Sequence, residues 1–153
     1  MSRSSIPGLS AFVRDYPLMS VRPSSGETLL LQGRFAFTAR SENHGPITDR
    51  YALSIDVPRQ FPKTLPRITE TEQKIPRNGD FHVNPDGTLC LGSPLRLLVK
   101  LASDPTLTGF TDRCLIPYLL PYRTNCKMEV RSCLTNCLTV FQGCLRIMLI
   151  CSV

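Results

Sequence analysis

In two stretches, residues 27–40 and 51–57, apolar and polar positions fall on opposite sides with a period of two. In ETLLLQGRFAFTAR, residues 27–40, Phe35 and Phe37 fall on one side, and Arg34, Ala36 and Thr38 on the other. In YALSIDV, residues 51–57, Tyr51, Leu53, Ile55 and Val57 share a face. Both stretches read as strands with one buried side. Pro58 ends the second, and a short third strand is expected at 67–71, directly after Pro66. Ser24-Ser25-Gly26 turns the chain ahead of the first strand. A loop at 42–48, carrying Asn43-His44-Gly45-Pro46, separates the first strand from the second. Three consecutive strands joined by loops predict an antiparallel meander.

The flanks have helical spacing instead. Leu9, Phe12 and Val13 mark a short amphipathic helix within 7–16, with Ser10 as a candidate N-cap and Pro17 as its stop. Residues 95–101, LRLLVKL, are apolar but too few for periodicity to separate strand from helix. Asp104-Pro105 opens a helix expected over 106–120, with Leu107, Phe110 and Cys114 on one stripe and Pro117 kinking or ending it early. Helices covering one face of the meander give an α+β fold.

Composition narrows the picture modestly. The 153 residues suit one domain, and 42% apolar against 20% charged residues is too apolar for disorder as the default. Thirteen prolines and no Trp favour turns and extended segments over a helix bundle. The net charge of +6 comes from scattered arginines, with no basic run interleaved with aromatics, so no nucleic-acid partner is expected. Residues 1–8 lack the apolar core of a secretory signal. Five of the seven cysteines crowd into the last part of the chain rather than spreading as a disulfide framework, so the expectation is a cytoplasmic chain with reduced thiols. His44, in its Gly/Pro loop, reads as a solvent-facing histidine.

The chemistry concentrates in FHVNPDGTLCLGSP, residues 81–94. A turn signal, Asn84-Pro85-Asp86-Gly87, leads into Leu89-Cys90-Leu91, and a second break follows at Gly92-Ser93-Pro94. A Cys between two leucines is ordinarily a small buried apolar residue, and the turn then merely joins two strands. The other reading is a thiol nucleophile presented after a tight turn, beside an amide able to stabilise an oxyanion.

FHVNPDGTLCLG resembles the active-site segment of ubiquitin-conjugating enzymes, where a His-Pro-Asn tripeptide leads through a short Gly-containing turn to an Ile/Leu-Cys-Leu. VPRQFPKTLP, residues 57–66, is similar to the proline segment that follows the third strand of that family. Pro105-Thr106-Leu107-Thr108 is similar to the start of its helix after the active site. The resemblance, toward bacterial members of the fold, spans residues 9–120. It implies a UBC-like domain over 1–120, an antiparallel β-meander with flanking helices. Cys90 would be the nucleophile that carries a ubiquitin-like protein as a thioester, delivered by an activating-enzyme-like protein and passed to an amine. Asn84 would assist the oxyanion, and His82 and Gly87 would support the active-site loop. Neither cofactor nor metal is implied. The chain departs from the pattern in two ways. Val83 stands where the family has Pro, and the turn from Asn84 to Cys90 is shorter than in the eukaryotic pattern, which loosens the carry-over at Asn84.

From residue 121 onward the resemblance fades, and 121–153 read as a divergent Cys-rich tail that leaves the C-terminal part of the fold atypical or incomplete. Cys133, Cys137, Cys144 and Cys151 are spaced four, seven and seven, but the tail has no Cys-x-x-Cys and no His to complete a zinc set. Residues 138–150 are apolar but interrupted by Arg146, well short of the about 20 residues a membrane helix needs. Residues 133–145, CLTNCLTVFQGCL, can be back-translated so that a shifted frame reads PDELPHGFPGLP, similar to an acidic-Leu-x-His-Gly run of the bacterial relatives. A frame-shifted tail is therefore one hypothesis, and coding DNA in which no shifted frame encodes that run would end it. The alternatives to the carrier are a catalytically inactive UBC-like adaptor and a degenerate gene product. Exposure of Cys90 favours the carrier, and its burial the adaptor.

Overall fold

The computed structural model describes residues 6–24, 26–41 and 45–123. The predicted roles of His44 and of the tail cysteines Cys126, Cys133, Cys137, Cys144 and Cys151, and the shifted-frame hypothesis, lie outside them. The described chain is α+β. It runs α1 (Leu9–Asp15), β1 (Met19–Arg22), β2 (Thr28–Ser41), β3 (Gly45–Pro58), β4 (Arg67–Glu70), α2 (Pro94–Leu101), α3 (Leu107–Phe110) and α4 (Ile116–Arg123). All strands are antiparallel, in the order β1-β2-β3-β4.

The alternating patterns land as expected. Leu31, Phe35, Phe37 and Ala39 of β2 and Tyr51, Leu53, Ile55 and Val57 of β3 are all buried on one face. The opposite face stays polar. Thr38 and Thr48 share a hydroxyl hydrogen bond of 3.0 Å there, and the Arg34 guanidinium donates to Glu72 at 2.9 Å. Such one-sided burial is the ordinary state of an antiparallel sheet. Phe12 and Tyr16 bring α1 onto the core, with Tyr16 and Phe35 ring centroids 4.6 Å apart. Phe61, from the proline segment, meets Phe110 of α3 edge-on at 6.5 Å.

Four expectations need correction, and one open reading is decided. The sheet has a fourth strand, β1, which sequence reading misses because only Met19 of its four residues is buried. Its approach to β2 is close: a Cβ on Gly33 would lie 2.1 Å from the Leu18 carbonyl oxygen, so only glycine fits there. β3 begins at Gly45, not after a loop extending to 48, because residues 45–50 pair with β2 through their backbones. The N-cap of α1 is Gly8 rather than Ser10, and that of α3 is Thr106, whose hydroxyl accepts the Gly109 N–H at 3.0 Å. The ambiguous segment 95–101 is helical. Ser93 caps it, Pro94 occupies its first turn, and Leu97 and Leu101 face inward.

The last correction concerns Pro117, which does not end the helical run. A π-helical turn over Thr111–Leu115 joins α3 to α4. In a regular helix the Pro117 ring would press on the carbonyl four residues back. The wider turn immediately before it relieves that conflict.

Candidate functional site

The NPDG turn forms as a hairpin tip. Gly87 N–H donates to the Asn84 carbonyl and Asn84 N–H to the Thr88 carbonyl, both at 2.9 Å. Val83 and Leu89 form an antiparallel bridge, and Cys90 N–H donates to the His82 carbonyl at 2.9 Å. Gly87, at φ +85°, takes the left-handed position that such a turn requires. The hairpin then docks along β4. Thr88 bridges Thr69, Leu89 N–H donates to the Ile68 carbonyl, and Glu70 N–H donates to the Gly87 carbonyl, the last two at 2.9 Å. This pairing turns Leu89 into the core and leaves the next residue, Cys90, facing out.

Cys90 is a free, exposed thiol. The contrast with Cys114 is sharp: burial in the α3–α4 stripe pushes that thiol up to about 11. Cys114 is therefore the core cysteine and Cys90 is not. The four residues named from sequence all lie in or beside this hairpin. Asn84 closes the turn through its backbone, and its exposed carboxamide takes no part in that closure. The side chain that caps the turn is Asp86 instead, whose Oδ1 accepts the Thr88 N–H at 2.9 Å. His82 is half-buried at φ +54° and is held through its backbone: its N–H donates to the Gly79 carbonyl at 3.2 Å, and its carbonyl accepts from the Cys90 N–H and the Tyr118 hydroxyl. Gly87 is buried against Glu70 and Arg77.

Three side chains from distant parts of the chain clamp the loop. Arg67 reaches from β4 to the Asp86 carboxylate at 2.7 Å and to the Thr88 hydroxyl at 3.0 Å. The hydrogen bonds from Thr88, joined by the Arg67 charge, hold the Asp86 carboxyl below its ordinary value. Arg77 lies on the inner side, donating to the Pro85 carbonyl at 3.3 Å and the Glu70 carbonyl at 3.4 Å. Tyr118 of α4 donates its hydroxyl to the carbonyls of Phe81 (2.9 Å) and His82 (3.3 Å). Sequence reasoning passed over all three, since each acts across a separation that no local pattern reveals.

Cys90 also stands directly ahead of α2, whose outer face carries the exposed Leu95 and Val99. Among the described residues, no group of His, Cys, Asp or Glu is arranged to hold a metal, and no helix is long and apolar enough to cross a membrane. The arrangement is that of an exposed thiol on a hairpin pinned from three sides. It can offer a nucleophile to a large partner without rearrangement of the core. Comparison with family models, with curated proteins and with solved structures finds no match to this chain.

Proposed function

We propose that this chain is a cytoplasmic thioester carrier with a UBC-like fold. Its partners would be a ubiquitin-like protein and the activating-enzyme-like protein that delivers it. The Cys90 thiolate attacks the activated C-terminal carbonyl of the ubiquitin-like protein. A carbon–sulfur bond forms to Cys90, and the thiol of the activating enzyme leaves. An amine then attacks the new thioester, an amide forms, and the Cys90 thiolate departs. Both steps pass through a tetrahedral oxyanion; in the second, where a neutral amine attacks in place of a thiolate, the exposed Asn84 carboxamide assists it as a donor.

The observation that carries the reading is the exposure of Cys90 between a buried Leu89 and a half-buried Leu91. An adaptor has no use for a thiol turned to solvent. The motif resemblance adds to this, as does an antiparallel sheet with helices against one face.

The test is adduct formation. The purified chain, Cys90→Ala and Cys90→Ser are incubated with ATP and cell extract, then resolved without reductant. A reductant-labile adduct on the wild type is expected. It should be absent from Cys90→Ala and replaced in Cys90→Ser by a reductant-stable, base-labile ester. Absence of any adduct, while a known carrier added to the same extract is charged, would return the chain to the adaptor reading.

A further inference from the structure

Beneath the hairpin lies a pair of charged side chains that the carrier reading does not itself use. Glu70, the last residue of β4, is fully buried. Its Oε1 accepts the Glu72 N–H at 3.0 Å, while its Oε2, also buried, meets no donor among the described residues. Arg77 is half-buried, and its Nε is likewise enclosed without an acceptor among them. Its two terminal nitrogens reach different parts of the site: one donates to the Pro85 carbonyl within the turn, the other to the Glu70 carbonyl on the strand. Gly87 rests directly on the same group, since a Cβ there would come within 2.9 Å of the guanidinium and 2.7 Å of the Glu70 carbonyl oxygen.

Burying charge with polar atoms unsatisfied costs stability. A planar fork that bridges two carbonyls at a fixed spacing also does something a single ammonium cannot. Here the fork sets the distance between the tip of the turn and the strand beneath it. Asn84 and Cys90 lie on the two arms of that hairpin, tied through Thr88 and His82. The height of the tip therefore sets where the Asn84 carboxamide stands relative to an acyl group on Cys90.

We propose that Arg77 is a positioning residue for acyl transfer at Cys90, acting by holding the Pro85–Gly87 turn against β4. The proposal rests on the carrier reading and deepens it. The consequence separates two steps. Capture of an acyl group needs mainly the exposed thiol. Its release to an amine depends on an oxyanion donor at the right distance.

The experiment uses the full chain and a synthetic Gly-Gly-terminated peptide thioester of mercaptoethanesulfonate, with no protein partner. The Cys90 thiolate displaces mercaptoethanesulfonate, forming the acyl-Cys90 thioester, and added free lysine then takes the acyl group as an amide. Wild type, Arg77→Lys and Arg77→Gln are compared, with Cys90→Ala as the blank and thermal unfolding measured for each. Both Arg77 variants should capture the peptide at a rate within about twofold of wild type. Both should release it to lysine about tenfold more slowly, the scale expected for a displaced donor, with the loss in the limiting rate rather than in the lysine concentration required. Wild-type release rates in a folded Arg77→Lys or Arg77→Gln would overturn the positioning role. So would capture and release falling together in step with a lowered melting temperature, which marks a merely structural residue. If wild-type acyl-Cys90 reacts with lysine no faster than the same acyl group on glutathione, the carrier reading itself falls, and the role of Arg77 with it.

Discussion

Asp112 offers a sharp test of how the helices close over the sheet. It sits in the π turn between α3 and α4, half-buried, and its carboxyl is pushed up to about 6. Burial is the leading cause, with the charges of Asp104 and Asp15 adding to it, while the Arg113 charge and a hydrogen bond with Tyr16 work the other way. Because the folded value exceeds the unfolded one near 3.8, the native state holds a proton between about pH 4 and 6 that the unfolded chain has released. This group's contribution is therefore most favourable below about pH 4, declines as the pH rises through 6, and stays at its least favourable above that. A shift of about two units has a ceiling of about 3 kcal/mol, and solvent screening of a half-exposed group brings it to about 1 kcal/mol.

Asp112→Asn removes the titration while keeping an oxygen able to accept from Tyr16. At pH 7 the variant should be more stable than wild type by about 1 kcal/mol, or about 4 °C in Tm. The gain should vanish near pH 4. Urea unfolding of both proteins from pH 4 to 8 at constant ionic strength measures it, and taking the difference cancels other acid-sensitive groups such as Asp86. A difference that is flat with pH, or largest at the acid end, would show that burial beside Asp104 and Asp15 does not raise the Asp112 carboxyl in the folded state.

Three further outcomes follow from the loop. Gly87→Ala places a Cβ at φ +85° against the Glu70 carbonyl and Arg77, and should cost about 2–3 kcal/mol in urea unfolding; a loss under about 0.5 kcal/mol would mean the turn is not seated on β4. Tyr118→Phe deletes the hydroxyl that holds the Phe81 and His82 carbonyls, with an expected loss of about 1 kcal/mol and faster hydrogen exchange at the Cys90 amide, which donates to that same His82 carbonyl. Iodoacetamide should label Cys90 at least about 100-fold faster than Cys114, read by peptide mapping of the native protein; comparable rates at the two positions would refute the opposite orientations of these thiols.

Several features were legible without the fold because the physics behind them is local. A two-residue period assigns faces to β2 and β3 whatever they pack against, so Phe35, Phe37, Leu53 and Ile55 could be placed inside from spacing alone. Asn84-Pro85-Asp86-Gly87 encodes its own turn through the fixed φ of proline and the left-handed freedom of glycine. Tertiary structure decided the rest. Leu-Cys-Leu by itself ordinarily reads as core, and only the bridges of Thr88 to Thr69 and Leu89 to Val83 settle which side faces out. Residues 95–101 were too few for their periodicity to decide, until Leu97 and Leu101 found the core. The local sequence around Arg67, Arg77 and Tyr118 carries no signal of their roles. Their partners lie 7 to 37 positions away along the chain, and contacts at such separations exist only once the sheet, the hairpin and the closing helix have met.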